Sequence, residues 1–538
     1  MNAAARAIRS WDGIESRWSL HALLLAPLAL VIGVVAYPNI QLDTMPMSGA
    51  IAMLGIASGL VVLSGRPRLF ILLPLVATYL PSRQAGFAAY LLALAYFVAE
   101  YGGRRLTRRL DGFDFTLLAV LVWITASWLV NMGEQTDPWS LPVFLLTFLS
   151  PWLLLFVARA APWQRAELHV IAGVWLALSA SQLAPIFLKP LAVRELGAYL
   201  VPFDLFTIFG ADLLTAIGLT NALDLTFGTT PSAHHLGTAL LLTIVFLLAL
   251  ATALSRVRLV PLILVMTFAF LMTDSKHVIL AALPAGMLFA ALVFWPRLAP
   301  RNQQRARIVL LVLALVGGPL VAARTVDFVV NGVWRPYFAL ATLNPKLQLY
   351  MRSVELLGRN NLQTWIGHGP GSYATRAATI RATDVLYKEE QELPSFIPPH
   401  TGRAYRSVAY DLYTTEFVDA IRFQSGVLTS PFSSLVGIVA EFGILGTLVL
   451  GGMLGMVVRA GMMAWRRSDA DPPLRAAGAT AAFAIPFLVV LGCFDSYFEQ
   501  PDVTAPMMIA GVIAMAVLDR RPARKPGAES VPEISAVG

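Results

Sequence analysis

A run of closely spaced glycines is the part of this chain whose spacing most directly suggests chemistry. It reads Gly367-His-Gly-Pro-Gly371-Ser-Tyr373. Glycine permits positive φ and lets a ligand approach backbone N–H groups, so the run could cradle a phosphate. The alternative is a tight turn that lets the chain pack flat, and spacing alone favours it. No strand–turn–helix setting is evident, so the run is not a dinucleotide fingerprint. The candidate substrate-binding residues here are His368, Gly369, Gly371 and Tyr373.

Basic side chains elsewhere could neutralise an anion bound at this turn. Lys276 follows Ser275 between two apolar runs. Placing a lysine inside the membrane costs roughly 2.5–3.5 kcal/mol unless a partner offsets it. An anionic phosphate is one such partner, and the alternative is a lysine whose ammonium reaches the membrane surface. Arg352 precedes Glu355 by three residues, which also fits a surface ion pair. Arg376, just after the glycine run, is a further candidate for substrate binding.

Histidines supply candidate proton acceptors. His368 and His400 lie in the same polar segment, and either could act as a general base near neutral pH, although each is also an ordinary polar loop residue. The adjacent pair His234-His235 would point to different faces of a helix and does not have metal-ligand spacing. No clustered ligand set is evident, so the sequence predicts no cofactor and no protein-built metal centre.

Composition places these residues in a membrane protein. The chain has 538 residues, of which 57% are hydrophobic and 13% are charged, whereas soluble domains carry about 25% charged residues. A spanning helix needs roughly 20 mainly apolar residues. The single cysteine, Cys493, permits no disulfide within the chain. We therefore predict an all-α polytopic membrane protein with about fourteen transmembrane helices. The apolar runs lie near 20–36, 49–63, 69–80, 86–101, 113–130, 141–158, 168–187, 235–254, 259–273, 278–295, 308–323, 434–458, 476–493 and 504–518.

The distribution of basic residues predicts the orientation. If the N-terminus is cytoplasmic and the runs alternate, the inside connections hold 25 of the 40 Lys and Arg residues, and the short outside connections hold four. Cytoplasmic loops are enriched in these residues, so both termini are predicted to be cytoplasmic. The net charge of +8 thus reports topology and requires no nucleic acid. The run from Leu20 to Ala36 lacks a clear cleavage site and is predicted to be an uncleaved first helix.

The chain divides into four regions. Residues 1–323 hold about eleven helices, with an amphipathic outside segment at 188–234. Residues 324–433 form one large extracytoplasmic loop, 434–518 hold about three more helices, and 519–538 form a disordered cytoplasmic tail. Within the loop, 345–357 has helical periodicity, with a predicted apolar face of Leu347, Tyr350, Met351, Val354 and Leu357. The loop has too few aliphatic residues for its own core, so we expect it to lie on the helix bundle.

Taken together, these motifs resemble the superfamily of O-antigen ligases and O-antigen or exopolysaccharide polymerases, which are C-type glycosyltransferases of bacterial envelopes. Four segments carry the resemblance, over roughly residues 225–455. They are Gly228-Thr-Thr-Pro231 before a middle helix, Thr273-Asp-Ser-Lys276 at a helix end, Arg352 followed by the glycine run, and Ser433 through Glu441-Phe-Gly443-Ile-Leu-Gly446.

The resemblance implies a function and a set of roles. Family members transfer a glycan from undecaprenyl diphosphate to an acceptor hydroxyl, without metal or nucleotide sugar, at the periplasmic face of the inner membrane. It implies that Lys276 and Arg352 neutralise the departing diphosphate, where fixed cations act on developing charge. The implied partners are the lipid-linked donor, the acceptor glycan, the bilayer and other polysaccharide assembly proteins.

The chain departs from the family pattern in ways that affect these roles. The family histidine before the post-loop helix aligns with Phe432, an expected arginine aligns with Thr226-Phe227, and the expected Arg of the Ser-Arg pair is Lys276. The missing histidine favours a repeat-unit polymerase over a lipid A-core ligase. It also leaves His400 as the favoured base, with Glu416 or Asp411 as substitutes.

Two other classes of function stay open. About fourteen helices would also suit a flippase or transporter of lipid-linked oligosaccharides, and the missing histidine would suit an inactive assembly subunit. A transporter needs ionisable residues in mid-membrane, whereas here the polar groups collect at the outer helix ends and in the loop.

Overall fold

The computed structural model describes residues 47–80, 83–107, 109–184, 186, 230, 232–254, 257–273, 275–289, 345–359, 361–373, 375–382, 396–409 and 433–519. Among them it contains helices and turns and no strand. The helices of the N-terminal region are α1 (Met47–Leu63), a 3₁₀ turn (Pro67–Leu72) with α2 (Leu73–Thr78), α3 (Arg83–Thr107), α4 (Gly112–Val130), α5 (Ser140–Ala158, with a π turn at Leu145–Leu149), α6 (Arg165–Ser181), α7 (Ala233–Leu254), α8 (Val260–Met272) and α9 (Lys276–Phe289).

The rest of the described chain divides between the polar segment and the C-terminal helices. The polar segment contributes α10 (Pro345–Arg359), α11 (Asn361–Ile366), α12 (Arg376–Arg381) and α13 (Arg403–Ala409). The C-terminal helices are α14 (Ser434–Arg466), α15 (Pro472–Leu491) and α16 (Pro501–Asp519), with a 3₁₀ turn at Tyr497–Glu499 between the last two.

Seven of these helices are long and apolar enough to cross a membrane. They are α3, α4, α5, α7, α14, α15 and α16, and shorter apolar helices include α8 and the segment around α2. The all-α character predicted from composition is therefore confirmed for the described residues, and these seven helices fit the predicted membrane protein. The runs predicted at 20–36 and 308–323, the amphipathic segment 188–229 and the tail from 520 lie outside the described residues.

The core is formed around α14, α15 and α16. Helix α15 packs against α14 and α16 as well as α7 and α9. In the apolar part of α16, 94% of the residues are buried, so α16 is a central helix. In the apolar part of α4 only 33% are buried, so α4 lies at the edge. Small residues permit the close crossing of α14 and α15, because a Cβ on Gly461 would lie 2.6 Å from the carbonyl oxygen of Gly478.

One end of the bundle is held by ion pairs between basic and acidic helix termini. Asp111 caps α4 and its carboxylate pairs with Arg159, which also lies 3.2 Å from Asp114. Arg105 pairs with Asp114 as well, and both side chains are buried. Arg105, Asp111 and Arg159 lie in connections that the distribution of basic residues predicts to be cytoplasmic. Connections predicted to lie on the same side of the membrane are therefore in contact.

The described parts of the polar segment lie on the opposite end. The helical periodicity predicted for 345–357 is confirmed by α10, but its apolar positions do not form its buried side. Met351 and Val354 are 65% and 72% exposed, whereas Leu349 and Ser353 are buried. The helix packs against α13 and α14 through Leu349 and Ser353. Because Ser353 is polar, a hydrophobicity pattern does not identify this side as the buried one.

Candidate functional site

The site is built on a break in helix α14. Gly443 has φ 67° and ψ −176°, a combination essentially limited to glycine. The break frees backbone carbonyls that a continuous helix would occupy. Those of Ala440 and Glu441 accept backbone N–H groups of the polar segment, and that of Phe442 accepts the indole N–H of Trp123 at 2.9 Å.

The glycine turn docks into this break through direct backbone contact. The N–H groups of His368 and Gly369 donate to Ala440 and Glu441 at 2.9 and 3.0 Å. A Cβ on Gly367 (φ 78°) would collide with the Glu441 carbonyl, and one on Gly443 would collide with the Trp365 carbonyl. Glycine is therefore required on both sides, because two stretches of backbone meet here without side chains between them.

The carboxylate of Glu441 is enclosed by donors from the same turn. Its oxygens accept the N–H groups of Gly371 (2.5 Å), Tyr373 (2.9 Å) and Thr375 (3.2 Å). They also accept the Thr375 hydroxyl at 2.7 Å. Glu441 is fully buried. A carboxylate is acceptor-only when ionised, so four donors match an anion rather than a neutral acid.

This arrangement changes the role of two predicted residues. The N–H of Gly371 donates to Glu441, and that of Gly369 donates to the helix backbone. Gly369 and Gly371 are predicted substrate-binding residues of a phosphate cradle, but both N–H groups are bonded inside the protein. The turn does cradle an anion, and that anion is the side chain of Glu441.

A second buried carboxylate, Glu499, lies beside the first. The backbone N–H of Arg376, at the start of α12, donates to its Oε2 atom. Burial raises the pKa of Glu499 well above its ordinary value, and the charge of Glu441 raises it further, while the Arg376 N–H opposes both. Its Oε1 atom has no hydrogen-bond partner among the described residues. Arg376 thus lies where two acidic side chains meet.

Arg352 and Tyr373 join α10 to this centre. The Tyr373 hydroxyl lies 2.5 Å from the hydroxyl of Ser353, next to Arg352 in sequence. One guanidinium nitrogen of Arg352 donates to the carbonyl of Val408 at 3.0 Å, which connects α10 to α13. Both predicted residues therefore belong to one assembly that holds the polar segment on α14.

His368 is buried without a hydrogen bond to its ring. Its exposed fraction is 1%, and neither ring nitrogen has a partner among the described residues. The ring lies parallel to that of Tyr373, with centroids 6.3 Å apart. Burial lowers the pKa of His368 to about 4, so the imidazole is neutral at pH 7 and would have to accept a proton against that burial.

His400 lies on a different side of the turn, above the 131–140 connection. Its Nε2 atom donates to the carbonyl of Gln135 at 3.0 Å, which leaves Nδ1 as the nitrogen that could accept a proton. Its own N–H donates to the carbonyl of Arg381. Arg381 is buried and contacts both oxygens of Asp137 at 2.6 Å. Burial alone would raise the pKa of Asp137, but hydrogen bonds from Arg381 and Ser140 lower it to about 2.

Ser275 and Lys276 lie at the junction of α8 and α9. The Ser275 hydroxyl is buried 2.9 Å from that of Thr273, and Gly237 of α7 approaches it closely. Lys276 is the first residue of α9. The next residue, His277, contacts the Tyr497 hydroxyl and the ring of His234.

The structure thus assembles some predicted residues and separates others. Tyr373 and Arg376 meet at Glu441 and Glu499, with Arg352 one contact away. Helix α9 reaches the same 3₁₀ turn as Glu499 through His277 and Tyr497, and His400 lies apart over Gln135. The alternative bases Asp411 and Glu416 lie outside the described residues.

Sequence reasoning missed the two buried acids and a neighbouring pair. Glu441 belongs to one of the four segments that carry the resemblance, and neither Glu441 nor Glu499 is among the predicted site residues. His235 was considered only as a metal ligand; its ring contacts Gln500 and lies 3.0 Å from the carboxylate of Asp502. For Glu441 the available signal was an acidic residue inside the apolar run 434–458, which is costly without a partner.

Comparison with known proteins adds no family. No protein-family model matches the chain, and no curated protein matches it. The residues themselves therefore carry the functional argument. Among the described residues, no group of three or more His, Cys, Asp or Glu side chains has the arrangement of a metal site.

Proposed function

We propose that this chain is a membrane-bound glycosyltransferase. It transfers a glycan from an undecaprenyl-diphosphate-linked donor to a sugar hydroxyl during synthesis of an envelope polysaccharide. In this proposal about fourteen helices cross the bacterial inner membrane, both termini are cytoplasmic, and the 324–433 segment is periplasmic. The observation that carries it is the docking of the glycine turn into broken helix α14, with Arg352 and Arg376 positioned by the same assembly.

The chemistry required of such an enzyme matches the charges at this end. The departing diphosphate must be stabilised as charge develops on it, and fixed cations in a site of low dielectric do this most effectively. Lys276 and Arg352 are the proposed cations. The incoming hydroxyl loses a proton as the glycosidic bond forms, and a positioned base contributes typically 10²–10⁴-fold. The proposed base is Nδ1 of His400, since its Nε2–H is bonded to Gln135.

The positions of ionisable residues favour this reaction over transport. In the seven long apolar helices, every Asp, Glu, His, Lys and Arg lies within eight residues of a helix end. Transporters of charged substrates place such groups near the middle of the membrane. Chemistry at the outer ends, beneath a docked polar segment, fits a transferase whose donor approaches from the outer leaflet.

The test is reconstitution of the full chain in liposomes with the lipid-linked oligosaccharide of its source. Release of undecaprenyl diphosphate together with a longer glycan is the expected result. Transfer to a distinct acceptor would identify a ligase. Movement of the intact donor between leaflets without release would favour a flippase, and neither activity would favour an assembly subunit.

Variants make the test specific. Lys276→Ala should abolish release of undecaprenyl diphosphate. Lys276→Arg should retain it, because arginine carries the same positive charge as lysine. Arg403→Ala is the matched control, since that side chain is 75% exposed and pairs weakly with Glu134. His400→Gln should slow turnover far more than His368→Gln. Normal turnover by Lys276→Ala and by His400→Gln would remove both assignments.

A further inference from the structure

A cavity of about 420 Å³ lies at the opposite end of the bundle from the glycine turn. Its walls are the connection after α1, the last third of α3 and the start of α6. The side chains that matter here are Arg66, Arg68, Tyr96, Glu100, Tyr101 and Glu167. Arg105 and Arg159, with their acidic partners, belong to the same end, which the distribution of basic residues predicts to be cytoplasmic.

The charged side chains of this cavity are the ion pair of Arg68 with Glu167, together with Arg66 and Glu100. Arg68 is bound to Glu167 at 2.7 Å, and that carboxylate also accepts the N–H of Gln164 at 2.8 Å. Arg68 and Glu167 therefore neutralise each other. Arg66, which is half-buried, supplies a further positive charge to the lining, and Glu100 supplies a further negative one. Glu100 is exposed and has no hydrogen bond or ion pair among the described residues.

The ring faces of Tyr96 and Tyr101 are partly covered by other side chains. Tyr96 stacks on Phe70 with centroids 5.1 Å apart, and the guanidinium carbon of Arg104 lies 5.9 Å from the Tyr101 ring centroid. A cage for a quaternary ammonium needs free aromatic faces. With these faces partly covered, the cavity is better suited to a cation that donates hydrogen bonds to a carboxylate and hydroxyls.

Apolar surface continues from the cavity edge along the helices. Val62 and Leu63 at the end of α1 are 62% and 81% exposed, and Val98 of α3 is 50% exposed. Exposed apolar side chains beside a charged cavity at a helix end match the boundary between acyl chains and headgroups.

We propose that this cavity binds the phosphoethanolamine headgroup of a bilayer lipid. The phosphate contacts Arg66 and the outward side of Arg68, and the primary ammonium contacts Glu100 and the tyrosine hydroxyls. The acyl chains lie along the exposed faces of α1 and α3. This site is remote from the glycine turn and does not depend on the glycosyltransferase proposal.

The test measures lipid affinity of the full chain in detergent by native mass spectrometry. Phosphatidylethanolamine, phosphatidylcholine and phosphatidylglycerol with the same acyl chains are compared. The primary ammonium donates hydrogen bonds to a carboxylate that the choline headgroup cannot make, and a tenfold ratio of affinities corresponds to about 1.4 kcal/mol. The ethanolamine lipid should therefore bind at least about tenfold more tightly than the choline lipid.

Two variants and two controls separate the contacts. Glu100→Gln should remove the preference for ethanolamine over choline, whereas Glu134→Gln, another exposed acid at the far end, should preserve it. Arg66→Gln should weaken the ethanolamine and glycerol lipids together, whereas Arg258→Gln, an exposed residue elsewhere, should not. Equal preferences in Glu100→Gln and Glu134→Gln would overturn the proposal.

A competition arm distinguishes the lipid from its free headgroup. Soluble phosphoethanolamine offers the same charges without acyl chains. The proposal expects it to displace the lipid only at much higher concentration, because it lacks the apolar contacts along α1 and α3. If the soluble compound bound as tightly as the lipid, the ligand would be a free phosphomonoester and the lipid assignment would fail.

Discussion

Replacing Glu441 with glutamine tests whether the buried carboxylate holds the glycine turn. The change keeps the shape of the side chain and removes its charge. Glutamine can present its carbonyl oxygen to the three donors at Oε1, which come from Tyr373 and Thr375. Its NH₂ group must then face the N–H of Gly371, where Oε2 now accepts at 2.5 Å. Two donors would point at each other inside the protein.

The expected cost follows from the bonds that change. An unsatisfied buried donor costs about 1–3 kcal/mol, and hydrogen bonds to charged groups are worth about 1.5–3 kcal/mol against about 1 for neutral ones. Removing the charge also removes its desolvation penalty, which offsets part of the loss. We expect a net local cost of about 3 kcal/mol, which corresponds to roughly 100-fold in the equilibrium for opening of the turn.

Hydrogen exchange measured on the full chain reads this opening directly. The amides of Gly371, Tyr373 and Thr375 should exchange roughly 100-fold faster in Glu441→Gln, since local opening governs exchange. Glu355→Gln is the control, because it makes the same chemical change on the exposed side of α10. If the three amides kept protection within threefold of wild type, the carboxylate would not be the group that holds the turn.

Three further predictions concern the break, the buried imidazole and the topology. Gly443→Ala should destabilise the protein by several kcal/mol in thermal unfolding, because the φ of Gly443 is 67° and a Cβ there would meet the Trp365 carbonyl. Gly451→Ala in the same helix is the control: a Cβ there has open space, so the change should be neutral or stabilising by up to about 1 kcal/mol. Burial lowers the pKa of His368 to about 4, so the unfolded chain binds the proton first and stability should fall by about 3 kcal/mol as pH falls from 6.5 to 4. The pKa of Glu499 is raised instead, so its contribution to stability falls as pH rises above 4.5. Subtracting the stability of His368→Leu from that of wild type at each pH isolates the histidine. A difference that stays constant between pH 4 and 6.5 would refute the assignment. Reporter fusions after Arg467 should indicate cytoplasm and those near Glu390 periplasm, and a cytoplasmic signal near Glu390 would overturn the predicted orientation.

Helix positions were largely predictable because the bilayer imposes a length on them. The runs predicted at 113–130 and 141–158 correspond to helices Gly112–Val130 and Ser140–Ala158. Their ends follow local chemistry that the sequence displays, such as Asp111 capping the first of these helices. In lipid every backbone group must be satisfied within the segment, so an apolar run of this length has few alternatives to a helix.

The faces of the polar segment were not predictable in the same way. The apolar positions of α10 include Met351 and Val354, yet both are exposed. Burial there depends on which side meets α13 and α14, and that contact is set by Ser353 bonding to Tyr373, twenty residues away. Hydrophobic periodicity identifies a helix, but it does not identify its partner when the partner is held by polar groups.

The glycine run shows why its two interpretations could not be separated by spacing. A tight turn and an anion cradle both use the positive φ that glycine allows, and the structure satisfies both descriptions with one internal carboxylate. The deciding information is Glu441, which lies about seventy residues later. An acid eight residues into an apolar helix needs several donors to offset its desolvation, and a glycine-rich turn supplies backbone donors without bulk. The glycine run and the buried acid each depend on the other.

The pairing of the glycine run with Glu441 also explains the break in α14, because a continuous helix would occupy the carbonyls of Ala440 and Glu441 that accept the N–H groups of the turn. The positions of Tyr373 and Arg376, and therefore of any chemistry at this end, depend on that mutual satisfaction.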